Sequence, residues 1–319
     1  MVRIRFTNLE EPGITRRRSG RSWAFFDAGG ARITDADERQ RLLSIALPPA
    51  YVDAWYNPDP SGHILAHGTD ARGRRQYRYH PDWRAGREAD KFGNLAAFGK
   101  ALPRIRRKVA RDLRARRLTR DHVVAAIVRL LDCGAIRIGN EQYARANRSF
   151  GATTLRRRHA RLEGRKLRLR FRAKGGVDRD LILADRCLST TVRRCQELPG
   201  QHLFCWLDEG GEVHPVRSDD VNRFLRDAAG DGEVTAKQFR TWWASVLALD
   251  HLRRAPGAGL KPMVAEVAER LGNTPAVARA SYIHPAVIAL ARGEGQMPAR
   301  PRGPQALSPP ERWLMALIG

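Results

Sequence analysis

At 319 residues the chain is long enough for two domains, each with its own core. Lysine and arginine together number 58 against 34 acidic residues, a formal net charge of +24 with a pI near 11.2. A surplus this large strains a compact monomer by self-repulsion unless a polyanion relieves it, so nucleic acid is the partner the charge implies. Compositional bias accounts for arginine in place of lysine, of which there are seven, but not for cations outnumbering anions. Cys133, Cys187, Cys195 and Cys205 form no CxxC pair and no zinc spacing, which points to reduced thiols in a cytosol rather than a disulfide or zinc scaffold. MVRIRFTNLEEPG lacks the apolar core of a secretion signal, and no stretch has the length of a membrane span. The expected setting is a soluble cytoplasmic protein with no membrane partner.

In chain order, the first 90 or so residues read as strand-rich. SWAFFDAGGARIT is expected to form a hairpin turning at Gly29-Gly30, followed by a helix around 38–45 and the breaker Pro48-Pro49. HILAHGTDARGRRQYRYH alternates on both sides of Asp70-Ala71-Arg72-Gly73, the pattern of a second hairpin. Its return strand puts Gln76, Arg78 and His80 on one face and Tyr77 and Tyr79 on the other. With Arg72, Arg74 and Arg75 near the tip, this ribbon suits groove or backbone contact, and reads equally as a solvated hairpin. From about Lys91 the pattern turns helical, with amphipathic segments at 90–101 and 104–117 divided by Pro103. An apolar helix over 120–133 follows, capped by Thr119 and closed by Gly134. RHARLEG, RKLRLRFRAKGG and VDRDLILAD then read as a three-stranded insert. In its middle strand Leu167, Leu169 and Phe171 alternate with Arg168, Arg170 and Arg172. Further helices are expected at 186–197, 219–229, 236–253 and 262–271, and GEGQMPARPRGPQ reads as a linker to a short helix from Ser308.

Tyr282, in LGNTPAVARASYIHP, stands out for its company: Asn273 nine residues before it, Arg240 of AKQFRTW 42 residues before it, and Arg137 and Lys174 further upstream. A tyrosine hydroxyl is a poor nucleophile at neutral pH unless nearby cations neutralise the anion it attacks. Two arginines, a lysine and an amide are what a metal-free phosphodiester exchange would need. Each residue also has a plainer reading. Arg137, between Ile136 and Ile138, reads as a structural salt bridge to Glu141, and Lys174, before Gly175-Gly176, as a solvated hairpin tip. Asn273 reads as a helix C-terminus after Gly272, and Tyr282 as core packing. Thr274 and Pro275 have the look of a cap and first helical residue, which would set the Asn273 amide beside a positive helix end. Lys237 shares a helix face with Arg240, while Trp242 and Trp243 pack that helix into the core.

Taken together and in this order, the segments resemble the bacterial, poxvirus-like type IB DNA topoisomerases of the tyrosine recombinase/topoisomerase IB superfamily. GTDARGRRQYRYH resembles the family's N-terminal DNA-contact segment. IRIGNEQYARANRSFGATTLRRRH, AKQFRTW and LGNTPAVARASYIHP resemble its catalytic core, and the whole spans residues from about 60 to 290. The resemblance implies that Tyr282 attacks the DNA backbone and becomes linked to a 3′-phosphate, releasing a 5′-hydroxyl strand. It implies that Arg137 and Arg240 stabilise the pentavalent transition state, that Lys174 is general acid to the departing 5′-oxygen, and that Lys237 assists that transfer. Asn273 stands where poxvirus members and eukaryotic relatives carry histidine; an amide donates to a non-bridging oxygen but delivers no proton. Gln238 stands where the family often has aspartate, which removes a negative charge beside Arg240.

The expected fold is α+β, with a small β-rich domain over 1–90 and a mainly helical catalytic domain with a three-stranded insert over 91–295. A Pro/Arg-rich linker and short helix occupy 296–319. The expected activity is relaxation of supercoiled duplex DNA without ATP, metal or cofactor, by a monomer that clamps the duplex in the bacterial nucleoid. Arg72, Arg74, Arg75, Gln76, Tyr77 and Tyr79 are the expected N-terminal DNA contacts. Two alternatives stand beside this reading: a tyrosine recombinase, and a non-catalytic basic DNA-binding protein that keeps the fold. Recombinases usually open with a helical DNA-binding domain and place histidine at the position of Lys237, whereas this chain opens strand-rich.

Overall fold

The computed structural model describes residues 3–230 and 233–319, with the backbone alone described at 88–91. The chain divides into two compact units, Met1–Lys91 and Phe92–Gly319. In the first, five antiparallel strands form one sheet in the order β2-β1-β3-β4-β5: β1 (Ile14–Ser19), β2 (Ser22–Phe26), β3 (Val52–Tyr56), β4 (Ile64–Thr69) and β5 (Arg75–Tyr79). The helix α1 (Ala36–Ser44) starts at Asp35, whose carboxylate accepts the Glu38 N–H. Its Leu42 joins Ile14, Phe25, Leu47, Tyr56 and Ala66 in a small core.

The hairpin expected around Gly29-Gly30 is not a hairpin of two strands. β2 pairs instead with the preceding β1, from Thr15↔Phe26 to Ser19↔Ser22, and the arm after Gly30 adds a single bridge, Phe26↔Arg32. Local chemistry explains the choice. Gly20 sits at φ +61 and supplies the tight β1–β2 turn, whereas the Asp27 carboxylate accepts the N–H groups of both Gly29 and Ala31 and winds that segment into a loop. The second hairpin forms where expected, β4 and β5 pairing from Ile64↔Tyr79 to Thr69↔Arg75.

The division between the units falls within α2 (Pro81–Gly93). The second unit continues with α3 (Leu95–Asp112), α4 (Arg120–Gly134), α5 (Glu141–Asn147), the sheet of β6 (Ala160–Glu163), β7 (Lys166–Arg172) and β8 (Asp178–Leu183), and α6 (Arg186–Glu197). A hairpin of β9 (Cys205–Leu207) and β10 (Val213–Pro215) follows. It closes with α7 (Ser218–Ala229), α8 (Ala236–Arg254), α9 (Leu260–Leu271), α10 (Pro275–Ser281), α11 (Pro285–Ala291) and α12 (Pro309–Ile318). The expected break at Pro103 does not occur, because Pro103 lies buried inside a continuous α3 and the real division is at Asn94. A mid-helix proline costs about 3 kcal/mol in isolation. Burial of Leu95, Phe98, Leu102, Ile105 and Val109 along the same helix outweighs it.

The core of this unit gathers around α4, buried throughout 122–128 and capped by the Thr119 hydroxyl on the His122 N–H. In β7, Leu167, Leu169 and Phe171 are buried and the intervening arginines point away, two of them paired with Asp180. The segment after Gly295 is no loose tail. Leu314 and Met315 of α12 are buried, and Glu311, 1% exposed, accepts from Arg106 and from the Trp242 indole. Arg106 also grips Asp132 of α4 through two bonds of 2.8 and 2.9 Å. All four cysteines are free; Cys195 and Cys205 are buried, but Cys187 is exposed. No helix among the described residues is long and apolar enough to cross a membrane.

Candidate active site

The site forms where three helix ends meet: the C-termini of α4, α9 and α10. At the end of α4, Ala135 adopts the left-handed conformation (φ 47) and donates its N–H to the Leu131 carbonyl. Arg137 follows in a segment fixed by two backbone bonds, Ala152 N–H to the Arg137 carbonyl at 2.8 Å and Thr153 N–H to the Ile138 carbonyl at 2.7 Å. Gly139 (φ +98) and Gly151 approach so closely that a Cβ on Gly151 would stand 2.6 Å from the Arg137 carbonyl oxygen. Arg137 makes no salt bridge to Glu141, which is held by Arg156 and Arg145; its Nη2 instead donates to Asn273 Oδ1 at 2.7 Å.

Arg240, on α8, is 4% exposed. Its Nη1 donates to the Ala135 carbonyl and its Nη2 to the Leu271 carbonyl at 3.1 Å, so two main-chain oxygens aim it. Gln238 accepts the Thr235 N–H at 2.7 Å and closes a capping box at the start of α8. The Gln238 side chain is therefore engaged in the helix start, and among the described residues Arg240 is oriented without a carboxylate. At the end of α9, Gly272 is left-handed (φ 61) and the Asn273 N–H returns to the Ala268 carbonyl at 2.9 Å. With Oδ1 taken by Arg137, Asn273 Nδ2 is a buried donor with no partner, as is Arg240 Nε.

Thr274 and Pro275 open α10 as expected, and Tyr282 ends it. The guanidinium carbon of Arg240 lies 4.9 Å from the Tyr282 ring centroid. The buried Ser245 hydroxyl of α8 lies 3.3 Å from the Tyr282 carbonyl and accepts the His284 N–H at 2.9 Å, which pins the backbone on both sides of the tyrosine. Burial pushes the Tyr282 phenol up, but the charges of Arg137 and Arg240 and their hydrogen bonds to it win, leaving it below the ordinary tyrosine value. Burial first, then the charge of Arg137, brings Arg240 down to about 10, so it remains a cation at neutral pH. Among the described residues no ion pair engages Arg137 or Arg240. A phenol beside two uncompensated guanidiniums, with two buried donors open, is a seat for an anion carrying several oxygens.

The two lysines are both exposed. Lys174 is exposed in the β7–β8 turn, its Nζ 5.5 Å over the Tyr143 ring. Lys237 is exposed on α8, on the open side of the helix whose Arg240 is buried. Of the expected N-terminal contacts, Arg74 and Gln76 are engaged in the hairpin turn. Arg74 donates twice to Asp70, at 2.9 and 2.7 Å, and Gln76 once at 3.0 Å, which holds the Asp70 carboxyl well below the usual carboxylate range. Arg72 and Arg75 are exposed, and Tyr77 and Tyr79 are 37% and 42% exposed. Tyr77 continues a row of rings across the sheet, with His67 at 5.9 Å and Trp55 stacked on His67 at 5.3 Å. Asp208, Glu212 and His214, at the β9–β10 hairpin, bring possible metal-ligand atoms within 4.8 Å of one another, but His214 and Asp208 already share a 2.8 Å hydrogen bond. Ser245, Gly151 and the carbonyls that aim Arg240 carry no pattern in the sequence, because each acts through a contact distant along the chain.

Residues 80–286 match the family described as "Eukaryotic DNA topoisomerase I, catalytic core", and residues 22–70 match "Bacterial DNA topoisomerase IB, N-terminal domain". DNA topoisomerase 1B of Acanthamoeba polyphaga mimivirus is 28% identical over 286 residues, covering 85% of each chain. DNA topoisomerase 1B of Vaccinia virus (strain Copenhagen) is 19% identical over 228 residues, 70% of this chain and 71% of that one. Among solved structures, the XerH site-specific recombinase in its pre-cleavage complex with difH substrate gives a TM-score of 0.36 at 14% identity, over 71% of this chain and 59% of that one, a likeness that carries no functional argument. The catalytic-core match takes in Arg137, Lys174, Lys237, Arg240, Asn273 and Tyr282 and covers well over half of the chain. The chain belongs to the DNA topoisomerase I family, on the type IB side.

Proposed function

We propose that the chain relaxes supercoiled duplex DNA by transient cleavage of one strand, with Tyr282 as the nucleophile. Tyr282 Oη bonds to the scissile phosphorus, its own proton released to solvent, while the bond from phosphorus to the 5′-oxygen breaks and that oxygen takes a proton from Lys174. The products are a 3′-phosphotyrosine and a free 5′-hydroxyl. Arg137, Arg240 and the open Nδ2 of Asn273 hold the non-bridging oxygens, where transition-state charge gathers. One phosphodiester is exchanged for another, so religation is the same step reversed and needs no ATP. The downstream duplex rotates while the strand is open. Lys237 assists the proton transfer.

The observation that carries this reading is the pair of guanidiniums, one of them nine-tenths buried, at the Tyr282 hydroxyl with no carboxylate among the described residues to neutralise them. The exposed Arg72, Arg75, Tyr77 and Tyr79 support a DNA-gripping role for the first unit, so that one chain clamps the duplex as a monomer, in the nucleoid. Arg74 and Gln76 serve that role indirectly, by shaping the turn. The test is relaxation of supercoiled plasmid in EDTA without ATP, wild type against Tyr282→Phe, with covalent trapping of a nicked duplex alongside. Wild type alone should relax and trap, while Tyr282→Phe binds DNA nearly as well. A Tyr282→Phe protein that still becomes covalently attached to DNA would defeat the assignment; recombination between two sites without relaxation would move the chain to the recombinases.

A further inference from the structure

Arg179 belongs to none of the roles above, yet it is the third guanidinium of the cluster. It sits on β8, the return arm of the hairpin that carries Lys174 at its turn, five residues after that lysine. Instead of pointing into solvent it crosses to the end of α9. Its Nη2 donates to the Arg270 carbonyl at 2.9 Å and its Nη1 lies 3.5 Å from the Glu269 carbonyl. The next carbonyl, that of Leu271, is the one that receives Arg240, and the residue after Gly272 is Asn273. Two arginines from different elements thus cover the last three carbonyls of one helix, which carry its negative dipole end; of these the Glu269 carbonyl also accepts the Gly272 N–H at 3.1 Å. Gly272 makes room for this, since a Cβ there would stand 2.7 Å from Arg179 Nη1. Arg179 is half-buried and makes no ion pair among the described residues; burial, then Arg270 and Arg137, lower its pKa.

We propose that Arg179 is a positioning residue for the proton donor: it fastens the Lys174 hairpin to the α9 terminus that also holds Arg240 and Asn273, so that donor and phosphate-binding groups share one frame. The inference rests on the reading of Lys174 as general acid. Lys174 itself is exposed on a turn closed by the Ala173 N–H on the Val177 carbonyl at 2.7 Å and the Gly176 N–H on the Ala173 carbonyl at 3.1 Å, so the lysine is carried by the hairpin as a unit. Its distance to the 5′-oxygen is set by how β8 is anchored, and β8 reaches the active-site end of α9 through Arg179.

The test separates the proton donor from the phosphate site by changing the leaving group. Single-turnover cleavage at saturating protein is measured on a duplex with an ordinary 5′-oxygen and on one with a 5′-bridging sulfur at the scissile phosphate. A thiolate leaves without protonation, because a thiol is far more acidic than an alcohol. Arg179→Ala should slow the oxygen substrate about 100-fold, the usual loss for a misplaced reacting group, and cleave the sulfur substrate at close to the wild-type rate. Arg179→Lys, which keeps a cation able to reach one carbonyl, should recover most of the oxygen rate. Equal slowing on both substrates, or no slowing on either, overturns the positioning role. Lys174→Ala is the control. If sulfur rescues Lys174→Ala but not Arg179→Ala, only the positioning role fails; if sulfur rescues neither, the general-acid reading fails and takes the positioning role with it.

Discussion

Changing Asn273 to aspartate should raise the stability of the protein while abolishing most of its activity. The amide oxygen accepts from Arg137 Nη2 at 2.7 Å, and the amide nitrogen is a buried donor with no partner. Aspartate keeps the acceptor and gives it a full charge. The donor is a guanidinium, so the present bond is already charge-assisted; aspartate adds the attraction of a full ion pair, worth up to about 1 kcal/mol for a pair partly open to solvent, or roughly 2–4 °C in Tm for a domain of this size. The new carboxyl, beside Arg137, titrates below the ordinary aspartate value. The gain is therefore present at neutral pH and is lost as pH falls through that depressed pKa. Cleavage moves the other way. The donor to the phosphate is gone, worth about 100- to 1,000-fold, and an anion now faces the incoming phosphate. Single-turnover cleavage at saturating protein, paired with a thermal melt, reads both effects. Asn273→Ala should lose both stability and rate, whereas Asn273→His, which restores a donor, should keep much of the rate. An Asn273→Asp protein that cleaves within about tenfold of wild type, a difference near 1.4 kcal/mol, would show that Nδ2 does not face the phosphate.

The clustered guanidiniums also set a pH dependence. They favour the phenolate, so Tyr282 should titrate below 10 in the free protein, seen by ultraviolet difference titration against Tyr282→Phe, and Arg137→Gln should move that titration to higher pH. Glu311→Ala should destabilise the second unit by about 3–5 kcal/mol in urea unfolding, because it leaves a buried ion pair broken; Arg106, the Trp242 indole and the Ser308 N–H all lose an acceptor. Glu311→Gln, which keeps an oxygen for Trp242, should lose less.

What could be read from the sequence follows from how local each signal is. The alternation in β7 and the Thr119 cap of α4 are written in consecutive residues, and both elements form where expected. Pro103 misled because its effect was judged locally, while the packing of α3 decides it. β1, with its run ITRRRS, shows no apolar alternation and was passed over. Arg16 is held mostly by partners 31 to 40 residues away, among them the Leu47 carbonyl and the Tyr56 hydroxyl. At the candidate site, Arg137, Arg240, Asn273 and Tyr282 were named from motif resemblance and the chain brings them together. Lys174 and Lys237 rest on the same resemblance, and both are exposed, Lys237 three residues before the buried Arg240 on α8. Spacing showed neither the Arg137–Asn273 bond nor the carbonyls that aim Arg240, since these are contacts across 136, 105 and 31 positions.

Those carbonyls explain how a protein can hold three guanidiniums together and still present their charge. At an effective dielectric of 20, two like charges about 4 Å apart repel by roughly 4 kcal/mol, so the cluster needs compensation in the free protein. Carboxylates would supply it and cancel the cations in doing so. The termini of α4 and α9 supply it differently: the carbonyls of Ala135, Glu269, Arg270 and Leu271 satisfy the N–H groups with partial charges and leave the cationic charge in place. Gln238 fits the same logic, being neutral and turned to the cap of α8 rather than to Arg240. The residual repulsion is relieved when a phosphate arrives, and relieved further as negative charge grows on its equatorial oxygens in the transition state. Stabilisation is thereby weighted toward the step the site has to accelerate, and the same argument requires that any substitution placing a carboxylate at the end of α9 trade activity for stability.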